Sequence, residues 1–297
     1  MRKILIGLLA ACAACTGCRF QDLAVDESVR LVLRVHDTLP IIGPVAAIGR
    51  FETHLFDGAT GQLAETAYTA SDGGTIFAAA GPYDLVSFNF DTESVLFEGE
   101  STFSHLRAVS VPAVENGDAI PVIGEPGCLF AAHLGHLNLP VRHEGDVGVV
   151  LTVDAWPIVQ VWRLVVEGVE GQEHLSSASG YLTGMASGRF LGSGEPTGEA
   201  VQRVSLRKDP VSSRLEACFT TFGCLPDTPH WLHLLLTDTN GGRYPFSIDV
   251  TGLCDPSADG LEFSLPLDFA VPEPEQGGGG FAPVPEDWQV IEHPIHL

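Results

Sequence analysis

The sequence predicts an all-β protein: two tandem β-sandwich domains behind a secretion signal. Its strand-like runs are short and alternate apolar with polar residues, as a strand with one buried face requires. Turn chemistry separates them at close spacing, and the chain of 297 residues carries 33 Gly and 20 Pro. No helical period longer than about three turns occurs anywhere. Short strands, frequent turns and no long helix are what a sandwich needs.

The chain opens with Arg2-Lys3 and an apolar run over residues 4–14, which is too short to span a bilayer. A basic start, a short apolar core and small residues make a secretory signal. The small residues end in cysteine twice, at Leu9-Ala10-Ala11-Cys12 and at Cys15-Thr16-Gly17-Cys18. Cys12 would leave a signal of only eleven residues, so Cys18 is the expected acylation site, with Cys12 as the alternative. Residues 1–17 are then the signal peptide and residues 18–28 a lipidated tether. Palmitate-type chains on Cys18 would hold the protein in the membrane by burying methylenes.

Strands follow in order. Residues 29–36 set Val29, Leu31, Leu33 and Val35 on one face and Arg30, Val32, Arg34 and His36 on the other. Residues 45–56 make the second strand, and Asp57-Gly58 and Thr60-Gly61 supply turns. Residues 63–69 and 75–79 come next. At residues 83–90, Val86, Phe88 and Phe90 form one apolar face while Tyr83 and Leu85 begin another, so this strand is covered on both sides. Asp91-Thr92-Glu93 then reads as the turn of a central hairpin closed by residues 94–97. Residues 120–123 and 128–134 complete a first domain spanning 29–140, with its boundary near Pro140. A second domain, 141–271, holds strands at 148–156, 159–166, 180–186, 201–206, 215–222, 231–237, 244–250 and 261–267. Asn240-Gly241-Gly242 marks a hairpin in it. The remainder, 272–297, is a Pro-rich acidic segment, a Gly277–280 hinge and a last short strand.

With Lys+Arg 15 against Asp+Glu 38, the net charge is −23. Binding to a phosphate backbone needs the opposite sign, so nucleic acid is not an expected partner. Self-repulsion of a soluble surface accounts for the excess.

Residues 81–86 (GPYDLV), running into Asn89-Phe90-Asp91-Thr92-Glu93 and Val95-Leu96-Phe97, carry a resemblance. The chain resembles a family of surface lipoproteins of Bacteroides-type bacteria related to fimbrial (pilus) anchor subunits. Leu182-Thr183-Gly184-Met185-Ala186, Thr221-Phe222-Gly223, Asp249-Val250-Thr251 and the glycine stretch before Trp288 extend it over nearly the whole mature chain. The resemblance implies two transthyretin-like Greek-key sandwiches, an outer-membrane position through the acylated cysteine, and a role in cell adhesion. It also implies β-strand addition between subunits of a fimbrium. The segment offered to a partner would be the tail, with Trp288, Val290, Ile291, Ile295 and Leu297 as the strand candidates. The alternative is that this tail folds back as the last strand of its own domain.

No reactive centre is expected, and no catalytic residue, metal or cofactor is assigned. Cys218 and Cys224 could close a small disulfide loop, leaving Cys128 and Cys254 as a pair or as free thiols; four cysteines allow three connectivities. Zinc would call for tighter cysteine pairs. His133 and His136 lie three apart, as do His230 and His233, which on a strand places each pair on opposite faces. Gly192-Ser193-Gly194 lacks the strand–elbow–helix context of a hydrolase. A different reading is a carbohydrate- or host-ligand-binding module, in which Trp156, Trp162 or Trp231 would stack on sugar rings if exposed.

Overall fold

The computed structural model describes residues 27–45, 48–114, 120–143, 146–209, 211–255, 258, 260–273 and 289–291. It is all-β, with two single-turn 3-10 helices at Gln172–His174 and Thr251–Leu253. The strands run, in chain order, β1 (Ser28–Val35), β2 (Thr38–Leu39), β3 (Gly43–Pro44), β4 (Arg50–Asp57), β5 (Leu63–Ala70), β6 (Gly73–Phe77) and β7 (Gly81–Asn89). Then come β8 (Val95–Glu98), β9 (Arg107–Ser110), β10 (Pro112–Val114), β11 (Val122–Ile123), β12 (Phe130–Leu139), β13 (Val149–Pro157) and β14 (Gln160–Glu170). The last are β15 (Leu175–Phe190), β16 (Pro196–Ser205), β17 (Arg207–Lys208), β18 (Arg214–Thr221), β19 (Trp231–Asp238), β20 (Arg243–Asp249), β21 (Gly260–Ala270) and β22 (Gln289–Ile291).

The first unit is a ring. Its order is β1-β13-β12-β7-β4-β5-β6, and β6 pairs back onto β1, so both margins of the sheet are joined. Alternation does the sorting: Val29, Leu31 and Leu33 of β1 point inward with Phe51, Leu55, Ile76, Leu85 and Phe130, while Arg30 and Arg34 stay outside. Closure depends on the tight turn between β5 and β6. Gly73 there has φ 110, and a Cβ on it would lie 2.1 Å from the Leu31 carbonyl oxygen. Only glycine fits that approach.

The second unit is a sandwich. One layer runs β10-β11-β16-β15-β19-β20-β22, with β9 paired to the far half of β15 and β8 outside β9. The facing layer is β17-β18-β14-β21. Trp162, Leu164 and Val166 of β14 meet Leu182, Leu232, Leu234, Leu236, Phe246 and Ile248 in the core between the layers.

A third apolar cluster joins the two units. Phe56, Val86 and Phe88 on the outer face of the ring pack with Leu106, Val159, Val161, Ala186 and Phe222 of the sandwich. Strand β7 is therefore buried on both faces, as its residues require.

Two expectations are corrected. β7 and β8 are not a hairpin, because β4 and β12 already occupy both edges of β7; past the turn, β8 pairs with β9 in the second unit. Nor does a boundary near Pro140 divide the sheets. β13 lies beyond it yet runs parallel to β1, Val29 against Val149 through Val35 against Ala155, while β8–β11 lie before it and belong to the sandwich.

Candidate functional site

Among the described residues, three places are candidate sites. The first is the edge beyond β20. β19 and β20 form the hairpin expected from Asn240-Gly241-Gly242, with Trp231 opposite Asp249 and Thr237 opposite Arg243. Asp238 holds the turn. Its carboxylate accepts from the Asn240 and Gly242 amides, each at 2.8 Å, and from the Tyr244 hydroxyl at 2.8 Å. Burial alone would raise this carboxyl, but the Tyr244 hydroxyl and the turn amides outweigh it and hold the pKa below the usual range. The free side of β20 is covered by β22, which runs parallel and matches only Phe246, Ser247 and Ile248.

The second is a buried cluster where the sheets end. Cys224, His230 and Cys254 bring their side-chain sulfur and nitrogen atoms within 4.8 Å of one another. Rigid backbone sets each one. Cys224 bridges to Met185, and the Leu225 amide donates to the Gly184 carbonyl at 2.9 Å. The His230 amide donates to Thr251 Oγ1 at 2.9 Å, and its carbonyl accepts from the Val250 amide at 2.9 Å. Cys254 caps the 3-10 turn Thr251–Leu253. The Cys254 thiol pulls the Cys224 pKa down to about 5 against the upward push of burial, and His230 adds to the pull. Cys254 moves upward, first because it is the donor to Cys224 and then through burial.

The third is a groove of about 450 Å³ between β12, β13 and the turn at residues 191–194. Trp156 stands on its rim, 55% exposed, stacked flat on His36 with ring centroids 3.5 Å apart. His36 Nε2 lies 3.1 Å from Asp154 Oδ1, which fixes that platform from below.

Of the residues singled out from sequence, Cys12, Cys18, Trp288, Ile295 and Leu297 lie outside the described residues. Val290 and Ile291 lie on β22, against the chain's own β20. The Cys218–Cys224 loop is corrected: all four described cysteines are free, Cys218 is exposed on β18, and Cys224 is buried facing Cys254. Cys218 and Cys224 are six positions apart, but the chain turns at Gly223 and carries Cys224 inward. His230 and His233 face different ways, as their spacing implies: His230 joins the cysteines, while His233 Nδ1 meets Ser247 Oγ at 2.8 Å. His133 packs against the Phe103 ring at 5.2 Å, and burial lowers its pKa. Ser193 sits in the β15–β16 turn, where its hydroxyl accepts from the Glu195 amide. Trp162 is fully buried and Trp231 half-buried, so neither offers a stacking face like that of Trp156.

The three-residue cluster escaped the sequence reading. A signal for it exists: a hairpin turning at 240–242 must place residues just before β19 beside those just after β20. His230 and Cys254 flank that hairpin.

These features define a class: all-β proteins in which a closed sheet is fused through a shared core to a sandwich with a coverable edge. Solved structures share this fold. An adhesin candidate from Bacteroides ovatus aligns with a TM-score of 0.62 at 20% identity, over 86% of this chain and 95% of that one. The fimbrial anchor protein Mfa2 from Porphyromonas gingivalis aligns at 0.54 and 14% identity, over 80% and 90%. A candidate polysaccharide-binding protein from Bacteroides thetaiotaomicron gives 0.54 and 13%, over 80% and 90%. The chain belongs to the family described as a domain of unknown function, DUF5119, whose model matches residues 55–204. No curated protein matches it.

Proposed function

We propose that this chain is a lipid-anchored cell-surface subunit, acting in adhesion or at the base of a fimbrium, that meets its partner by β-strand pairing. The edge of β20 carries the reading. A strand of seven residues is covered there by three, Gln289–Ile291, joined to the sandwich through the Gly277–280 segment. So short a ladder is easily released, because each backbone pair contributes only about 1 kcal/mol net. The tail can then pair with a neighbouring subunit, in the manner of strand addition. The signal ending at Cys18 supports an outer-membrane anchor, and the fold shared with Mfa2 and an adhesin candidate supports the class of role. No chemistry is assigned to the chain.

Co-purification from cell envelopes tests this. Deleting residues 288–297 is expected to abolish capture of the partner subunit while the domains stay folded, and Cys18→Ser to move the protein out of the membrane fraction. Undiminished capture, or an unchanged membrane fraction in both Cys18→Ser and Cys12→Ser, would sink the corresponding half of the reading.

The groove favours a second reading, binding of surface carbohydrate. An exposed indole held flat by His36, beside Asp154, has the form of a sugar-stacking platform. Quenching of tryptophan fluorescence by soluble glycans should occur in the wild type and vanish in Trp156→Ala; no quenching by any glycan removes this reading.

A further inference from the structure

We propose that Cys224, His230 and Cys254 form a binding site for a zinc-type divalent cation, with its fourth position open to water or to a partner side chain. Two thiolates and one imidazole are a borderline-soft donor set, which suits zinc and disfavours magnesium or calcium. The spacing fits as well. Tetrahedral zinc with sulfur at about 2.3 Å and nitrogen at about 2.0 Å needs these ligand atoms roughly 3.5–3.8 Å apart. The three side chains lie within 4.8 Å of one another before any ion draws them in.

His230 is the independent observation. It is 3% exposed, and neither ring nitrogen has a hydrogen-bond partner apart from the Cys224 sulfur beside it. A buried polar atom without a partner destabilises a fold, so a histidine held in this way calls for a ligand. A disulfide between Cys224 and Cys254 would bond the two sulfurs and leave His230 as it is. A metal uses all three. The site is also shaped around the ring: a Cβ on Gly184 would come within 3.1 Å of His230 Nε2 and 2.8 Å of the Pro229 carbonyl. Cys254 is half-buried while Cys224 is buried, so an ion enters from the Cys254 side.

The other group of acids and histidine, Glu52, His54 and Glu100, differs on this point. His54 Nε2 already bonds Glu52 Oε1 at 2.9 Å, and Glu100 is exposed. Only His54 Nδ1 is left without a partner, so the demand there is one atom, where His230 leaves two without one outside the cluster.

Cobalt(II) titration of the full chain, purified from cell envelopes in detergent and reduced, decides the matter. Expected are a thiolate-to-cobalt charge-transfer band and tetrahedral ligand-field bands that saturate at one ion per chain and are erased by zinc. Cys224→Ser and Cys254→Ser should each weaken binding and cut the charge-transfer band to half or less, and the double variant should lose it. His230→Ala should bind more weakly with shifted bands, and Cys218→Ser should match the wild type. Zinc should raise the thermal midpoint of the wild type and leave that of Cys254→Ser unmoved. A folded wild type without the thiolate band overturns the proposal, and so does a band of undiminished intensity in Cys254→Ser or one that survives the double cysteine variant. Mass mapping that finds Cys224 disulfide-linked to Cys254 in the protein as isolated overturns it too. The wild-type spectrum is decisive by itself if a variant fails to fold.

Discussion

The ring and the sandwich are made from similar alternating strands, but they treat their margins differently. In the ring, β6 returns to β1 and every strand has two neighbours. The sandwich keeps margins, and the two long ones are not equivalent. β21 is guarded: Pro266 lacks a donor, Glu262 and Asp268 are exposed, and Asp268 has φ 43, which breaks the regular ladder. β20 has Pro245 and exposed charges only towards its ends, at Arg243 and Asp249, and its middle, Phe246–Ile248, is covered by the three residues of β22 alone. Closure removes a place to bind, and an unguarded margin supplies one. A molecule that works by strand pairing would place that margin on the unit farther along the chain and use the ring as its base.

The largest expected effect tests whether the two regions are one body. Phe88 is fully buried in the layer they share, so Phe88→Ala should cost about 3–5 kcal/mol. Calorimetry should show a single transition moving down; a second transition left in place would mean that the units unfold independently.

Next comes closure. Gly73→Ala places a methyl group into the Leu31 carbonyl at a backbone angle that L-residues rarely adopt, for a loss of about 3 kcal/mol. If the ring then opens at β6, sedimentation should show self-association through the freed margins. A variant that stays monomeric and fully stable would deny that closure matters.

The turns differ more subtly. Tyr244→Phe removes a charge-assisted bond to Asp238 and should cost about 1.5 kcal/mol. Because the folded-state pKa of Asp238 lies below its unfolded value, this contribution is complete above the ordinary carboxylate range. It fades as pH falls through the folded value, so Asp238→Asn should flatten the acid side of the stability profile. In the ring, Asp57 clamps its turn similarly: the Thr60 hydroxyl and then the Thr60 amide hold its carboxyl low, but this group is only partly buried, on an exposed turn. Asp57→Asn should leave the same profile nearly unchanged.

The smallest effect is at the surface. Arg107 and Glu98 pair at 2.8 Å between β9 and β8, both exposed. Arg107→Ala should cost under about 1 kcal/mol, and less still in high salt.

Much of the fold could be read from residues. The alternation in β1 and the double-sided burial of β7 set their faces correctly, and Asn240-Gly241-Gly242 located its hairpin. What could not be read was which sheet a strand joins. β8 follows β7 across a turn that suits a hairpin, and only the occupied edges of β7 send it elsewhere. That is a property of β4 and β12, not of residues 91–98. β13 is similar, since its alternation suits any sheet and its parallel place beside β1 is a long-range choice. The Cys224–His230–Cys254 group fell between these cases: spacing along the chain argued against a metal, while hairpin register brought the residues together.

Pairing Val29 with Val149 also fixes an order of events. As the polypeptide is made from its amino end, the first ring strand emerges early and waits for a neighbour that arrives after half the chain has followed. Contacts so distant are slow to form. A fragment ending anywhere before residue 149 would leave that strand with one bare flank, so the opening half cannot mature on its own.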